Sequence, residues 1–329
     1  MIQVSLFVPD LLDSWGDLPD FLDRVKDAGC HRIHYLALRA SPGGCEAGRC
    51  TMPYKVSGTY RRASGKVFLK YKLTNNWNPT FFDQQAYALT EMRKRGIVAE
   101  VSVEDIRLRS GDDKYYNPFY CSDEALSDST PGGVWGEPGK KGMMPWHGYW
   151  MRRETKAVLQ RQPRAIFEAN NEMNTPSFSH HPGDDFDLYM VNDCRPKLAA
   201  GIVGAGVTAN RTWTSGDLRN WRGGGAFYSA HGIVRPEKVR PLDGVPNTRL
   251  IISMDGGFDG DGDADIAGRK GASVEQTIAI TRRGIEMRAR KIEVMARKMW
   301  KRNKHVADLD DFDPATLRAA VKTAEKYGK

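Results

Sequence analysis

Short apolar runs of strand length alternate with amphipathic stretches of helix length along almost the whole chain, and few folds accept that order. "IQVSLFV" opens the series as a strand. "LPDFLDRVKDAG" follows with apolar residues at helical spacing and stops at Gly29, a glycine in the usual place for a helix end. "HRIHYLAL" reads as the second strand. "PTFFDQQAYALTEMRKRG" begins with Pro79, carries its basic residues late and ends at Gly96, so it is signalled as a helix at both ends. "IVAEVSV" is the third strand, "GYWMRRETKAVLQRQ" the third helix and "AIFEA" the fourth strand. Beyond them "DDFDLYMVNDCRPKLAAG" reads as a helix weakened by Pro196, and "GVTANRTWTS" and "GAFYSAHGI" read as strands. "TRLIISMDGG" is a strand and "SVEQTIAITRRGIEMR" a helix. "KIEVMA" fits either an eighth strand or a continuation of that helix, and "DPATLRAAVKTAEKYG" closes the chain as a helix.

A strand–helix alternation of this kind argues for an α/β fold with a parallel sheet. A doubly wound sheet would place a glycine-rich phosphate turn after the first strand, and "FVPDLLDSWG" supplies none. A closed (β/α)8 TIM barrel takes about 250 residues plus insertions. The chain has 329. The expectation is one barrel domain over residues 1–329 with extended loops at its C-terminal face. A hairpin and loop insertion falls around 40–76, holding "KVFLKYKL", and a long loop falls around 105–148.

Hydrophobic residues make up 40% of the chain, enough for a sizeable core at this length. No run of about 18 apolar residues occurs, so no membrane span is expected. The opening "MIQVSLFVPDLLDSW" has no basic start and no small-residue cleavage site, so no signal peptide is read from it. Cytoplasmic, virion-associated and otherwise exported locations all stay open. Five cysteines are too few and too scattered for a disulfide framework. Cys45 and Cys50 flank "CEAGRC" and read as a pair or as two ordinary thiols, with no second ligand pair at zinc-ribbon spacing. The net charge of +8 gathers in "TRRGIEMRARKIEVMARKMWKRNK". It reads first as a solvated helix face, which leaves nucleic acid a minor candidate as partner.

In a barrel of this type the active site lies at the C-terminal strand ends. Glu104 and Asp105 follow the third strand, and Asn170, Asn171 and Glu172 follow the fourth. Trp213 lies near the fifth, Tyr228 and His231 in the sixth, and Asp255 at the end of the seventh. Two carboxylates from different strands are what glycoside hydrolysis needs: one protonates the leaving oxygen, and the other attacks the anomeric carbon or activates water to do so. An amide such as that of Asn171 could hold the sugar 2-hydroxyl. A tyrosine and a histidine beside the second carboxylate could orient it and tune its proton affinity. Trp77, Trp135, Trp146, Trp213 and Trp221 fall in segments placed after strands. Each could stack on a sugar ring or simply pin a long loop.

On these residues the chain resembles the clan A glycoside hydrolases, the cellulase-like barrels related to family five. The resemblance implies that Glu172, following Asn171, is the acid/base at the end of the fourth strand. It implies that Asp255 stands where the clan has its nucleophile, and that Tyr228 or His231 sits beside it. Substrate contacts would come from Asn171, Tyr228, His231, Trp77, Trp146, Trp213 and Trp221, and the substrate would be a β-linked poly- or oligosaccharide. No cofactor is required on this reading, and no membrane is a partner. The clan uses glutamate as nucleophile, and aspartate is shorter by one methylene. Three arrangements follow: a shifted strand from which Asp255 still attacks, a wider gap that admits a water and inverts, or a site that binds sugar without cutting it. The last is the alternative reading, a carbohydrate-binding barrel of a viral or cell-surface assembly.

Weaker signals lie nearby. "DGDGDADI" puts Asp259, Asp261, Asp263 and Asp265 at alternate positions, as at the start of a calcium loop. Ala264 stands where that loop wants glycine and Lys270 where it wants glutamate, so calcium is possible but the loop is incomplete. His180 and His181 in "SHHPGDD" read as part of a loop over the site. Glu168 is expected inside the barrel beside a basic neighbour, and Arg32 or His34 in its floor. Glu293 is a spare carboxylate if "KIEVMA" is a strand.

Overall fold

Parallel strands cannot be joined by tight turns, so each needs a crossover that packs back onto the sheet. A computed structural model of the protein describes residues 2–38, 52–61, 67–72, 76–105, 153–154, 156–171, 228–230, 233, 235–241, 246–254, 272–295 and 308–328. Seven strands form one sheet: β1 (Gln3–Phe7), β2 (Arg32–Leu38), β5 (Val98–Asp105), β6 (Ile166–Asn171), β7 (Tyr228–Ala230), β8 (Leu250–Met254) and β9 (Lys291–Met295). Their order is β6-β5-β2-β1-β9-β8-β7, and every pairing is parallel. The last strand pairs with the first, from Gln3 opposite Lys291 to Phe7 opposite Met295. That join is the one a (β/α)8 barrel requires. It also settles "KIEVMA", whose first five residues are strand β9 and not helix.

Two strands run further than their apolar patterns suggest. β5 includes Glu104 and Asp105, and β6 includes Asn170 and Asn171. The ladder explains this: Glu104 is in register with Leu38 on one side and Asn170 on the other, and Asp105 with Asn171. Backbone pairing continues past the point where the sequence turns polar.

Four α-helices run complete within the described residues, α1 (Leu18–Asp27), α2 (Pro79–Lys94), α3 (Val274–Glu286) and α4 (Ala315–Tyr327), and residues 153–154 and 156–159 are helical as well. Asp17 caps α1 by accepting from the Asp20 amide, and Asn78 caps α2 by accepting from Thr80. Ser273 and Gln276 form a reciprocal capping box on α3. Gly29 and Gly96 follow α1 and α2 with φ of +82° and +71°, where a side chain is disfavoured.

Gly284 fixes which way the last strands face. A Cβ there would lie 2.6 Å from Ile292 Cδ1 and 3.0 Å from Ile252 Cδ1, so α3 rides directly on those two residues. Alternation then turns Ser253, Lys291 and Glu293 toward the inside of the barrel. Leu6, Ile33, Ala99, Ile252 and Ile292 share one hydrophobic cluster with Leu22, Leu89, Ile280 and Leu317 of the helices. Between β2 and α2 stands an antiparallel hairpin, β3 (Val56–Arg61) with β4 (Val67–Tyr71). Its base is pinned where Trp77 stacks on Tyr54 at 5.2 Å and meets Phe82 edge-on at 5.9 Å.

Candidate active site

The inside of the barrel carries charge at mid-height. Glu293 of β9 is buried and accepts from four directions. His34 Nδ1 lies 2.7 Å from its Oε2, and Lys291 Nζ donates to the same oxygen at 3.1 Å. Ser253 Oγ donates to Oε1 at 2.8 Å, and Ser5 Oγ reaches Oε2 at 3.4 Å. The other ring nitrogen of His34 lies 2.7 Å from Ser102 Oγ. Lys291 also donates to Glu100 at 2.6 Å, and Arg32 donates to the far oxygen of Glu100 at 3.2 Å. Burial alone would raise the Glu100 carboxyl, but the Lys291 ammonium and His34 outweigh it and hold the group below its ordinary value. Among the described residues, Arg32 and Lys291 face the carboxylates of Glu100 and Glu293 in this network.

This network ties five strands together. Sequence reasoning named Arg32, His34 and Glu293 and missed Ser5, Glu100, Ser102, Ser253 and Lys291. The missed signal is a period of two: "RIH", "EVS" and "KIE" each set a polar residue on either side of an apolar one. Arg32 and His34 do belong to the interior, as partners of Glu100 and Glu293.

The predicted catalytic residues stand next to described strand ends in the sequence. β6 ends at Asn171, the residue before Glu172, and β8 ends at Met254, the residue before Asp255. Tyr228 opens β7, in register with Leu250 of β8. Glu168, in register with Ser102, lies two residues before Asn170 on β6. Glu172, Asp255, His231, Trp135, Trp146, Trp213, Trp221, His180, His181, Cys45, Cys50 and the aspartates at 259, 261, 263 and 265 lie outside the described residues. Trp77 is half-buried, with the Arg153 guanidinium 5.7 Å from its ring centre in addition to the Tyr54 stack. Among the described residues no group of three histidine, cysteine, aspartate or glutamate side chains could hold a metal, and no helix is long and apolar enough to cross a membrane. Cys30 is buried, and burial pushes its thiol up to about 12, which makes it inert near neutral pH.

A second buried carboxyl lies in the helical layer. Glu154 is fully buried, and the Gln85 amide of α2 donates to it. Tyr35 of β2 is also fully buried, and burial first, then the neighbouring Glu154 once it ionises, pushes its hydroxyl well above the usual value. Burial drives the Glu154 carboxyl from 4.5 up to about 8, a rise that the Gln85 hydrogen bond only partly offsets. Glu154 is therefore predominantly protonated at neutral pH.

No protein-family model matches the sequence, and no curated protein matches it. Solved structures do match in fold. A GH5-4 broad specificity endoglucanase from Clostridium longisporum aligns with a TM-score of 0.55 at 8% identity, over 99% of this chain and 97% of that one. An endo-β-mannanase/endo-β-glucanase from Prevotella bryantii gives 0.54 at 9% identity, over 100% of this chain and 49% of that one. A family 5 xyloglucanase from Paenibacillus pabuli, solved in complex with ligand, gives 0.50 at 10% identity over 98% of each chain. The chain thus spans about half the length of the Prevotella protein, and 57% of a matched Bacteroides vulgatus protein. At such identities the likeness speaks for architecture alone. With the parallel order and the first-to-last strand pairing, it makes this chain an α/β protein with the TIM-barrel fold of those family 5 structures.

Proposed function

We propose that the protein is a glycoside hydrolase acting on a β-linked poly- or oligosaccharide. The observation that carries the reading is the position of two carboxylate residues directly after strand ends: Glu172 follows the last residue of β6, and Asp255 follows the last residue of β8. In a (β/α)8 barrel those are ends at which active sites are built. The endoglucanase, mannanase/glucanase and xyloglucanase named for the matched structures support the substrate class.

In this reading Glu172 protonates the glycosidic oxygen as the bond to the anomeric carbon breaks. Asp255 attacks that carbon from the opposite face. Water, deprotonated by Glu172, then displaces Asp255 and leaves the product with its original anomeric configuration. Asn171, Tyr228 and His231 serve as substrate and nucleophile contacts, with Trp146, Trp213 and Trp221 as stacking surfaces. No cofactor enters these steps; calcium at Asp259, Asp261, Asp263 and Asp265 would act only by ordering that loop.

The two carboxylates separate by leaving group. An aryl glycoside with an acidic phenol needs no protonation. Glu172→Gln should therefore still release the phenol in a single-turnover burst, with slow turnover afterwards because no base activates the water, while losing natural glycans; Asp255→Asn should give no burst and lose both. Absence of a phenol burst from Glu172→Gln would refute its assignment as the acid. Sugar binding by wild type, with no hydrolysis of either substrate, would favour the carbohydrate-binding alternative.

A further inference from the structure

We propose that Glu293 is a positioning residue that sets the height of the strand ends leading to Glu172 and Asp255. The proposal rests on the functional reading only for what those ends carry; the mechanical part stands on the interior network itself.

Glu293 draws hydrogen bonds from Ser5 of β1, His34 of β2, Ser253 of β8 and Lys291 of its own strand. Through His34 it reaches Ser102 of β5, and through Lys291 it reaches Glu100. Two of these ties lie close in sequence or register to the residues that lead to Glu172 and Asp255. Ser253, on β8, is two residues before Asp255 in the sequence. Ser102 is two residues before Glu104, whose register partner Asn170 is two residues before Glu172.

Barrel interiors are usually filled by branched apolar side chains, which pack well but bond in no fixed direction. Here one carboxylate accepts directional bonds from three other strands at one level. Sliding β8 or β2 along the barrel would break a short bond and strand a buried polar group. Buried charge is a poor route to stability, since apolar replacements of similar volume often match or exceed it. Holding strand height is the job for which the arrangement is suited.

The Ser102–His34–Glu293 order also has the form of a nucleophile–base–carboxylate relay. Ser102 is 0% exposed and His34 4% exposed, so no substrate reaches the hydroxyl. The relay transmits position and presents no nucleophile.

The test is hydrogen exchange followed by mass spectrometry on wild type, Glu293→Gln, Ser253→Ala and Ile292→Val. Ile292→Val trims the opposite face of β9, against α3, and controls for ordinary destabilisation. Glu293→Gln should speed exchange by about tenfold or more in peptides over 101–105 and 251–254 while α1 and α4 keep their protection. Ser253→Ala, the milder change, should act on 251–254 alone. Ile292→Val should raise exchange evenly or not at all at the strand ends. A uniform rise in Glu293→Gln, matching the control, would overturn the proposal. So would labelling of Ser102 by a fluorophosphonate, which would make it a reactive serine. On a glycan that wild type cleaves, Glu293→Gln should lower kcat by about tenfold or more with KM nearly unchanged, the mark of displaced catalytic groups. If wild type cleaves nothing, the functional reading fails while the exchange result still decides the positioning claim.

Discussion

Replacing Glu154 by glutamine should reverse the alkaline side of the stability profile. Glu154 is fully buried and has the Gln85 amide as its hydrogen-bond donor. Its carboxyl moves from 4.5 in the unfolded chain to about 8 in the fold. The folded state therefore holds this proton more tightly. Below pH 4.5 both states are protonated and the stabilisation is fully present. As pH rises the unfolded chain ionises first, and stability falls by about 1.4 kcal/mol per pH unit. Above about pH 8 both states are ionised and the loss levels off at roughly 5 kcal/mol. Glutamine has nearly the same shape and no such titration. Urea unfolding of wild type and Glu154→Gln at pH 5, 6.5 and 8 isolates this one group from every other titration. The stability gap should move in favour of glutamine by about 3.5 kcal/mol between pH 5 and pH 8. At pH 5 the variant should be equal to wild type or slightly weaker. A gap that stays constant across that range would refute the argument and show that Glu154 is ionised or hydrated in the folded protein.

Other substitutions test other parts of the structure. Lys291→Met removes the cation between Glu100 and Glu293 and should cost about 3–5 kcal/mol in chemical denaturation. Gly29→Ala should cost about 1–2 kcal/mol for its left-handed backbone, and more for a Cβ that would stand 2.9 Å from Val321. Gly96→Ala shares the left-handed backbone but meets nothing within 4 Å, so its loss should be the smaller of the two when their unfolding midpoints are compared. Ser273→Ala breaks the capping box of α3 and should lower stability by about 1 kcal/mol.

Much of the barrel could be read from periodicity because most of its strands are apolar runs between capped helices. "KIEVMA" could not, since five residues with alternating charge fit a helix face as well as a strand. Only the pairing of Lys291–Met295 with β1 and β8 decides it, and that is a long-range fact. The lengths of β5 and β6 were hidden for a related reason. Glu104, Asp105 and Asn170 look like loop residues in isolation, and a neighbouring strand makes them ladder residues. Glu154 sits in "RRETK", inside the stretch that reads as the third helix with no face marked, yet Arg153 is exposed and Glu154 fully buried. One turn of a helix can point both ways, and the sequence does not say which way the core lies. Trp77, which its place after a strand offers as a sugar-stacking ring or a loop pin, meets Tyr54, Phe82 and Arg153 at the base of the hairpin, contacts that no local pattern shows.

The central claim is that this barrel cleaves glycosidic bonds with Glu172 as its acid. The most direct measurement is release of reducing ends from β-glucans, mannans, xylans and bacterial surface polysaccharides, with wild type beside Glu172→Gln. The account predicts release from at least one polymer by wild type, and its loss in a variant that unfolds at the same temperature. Release that survives in Glu172→Gln, or silence from wild type across the whole panel, would contradict it.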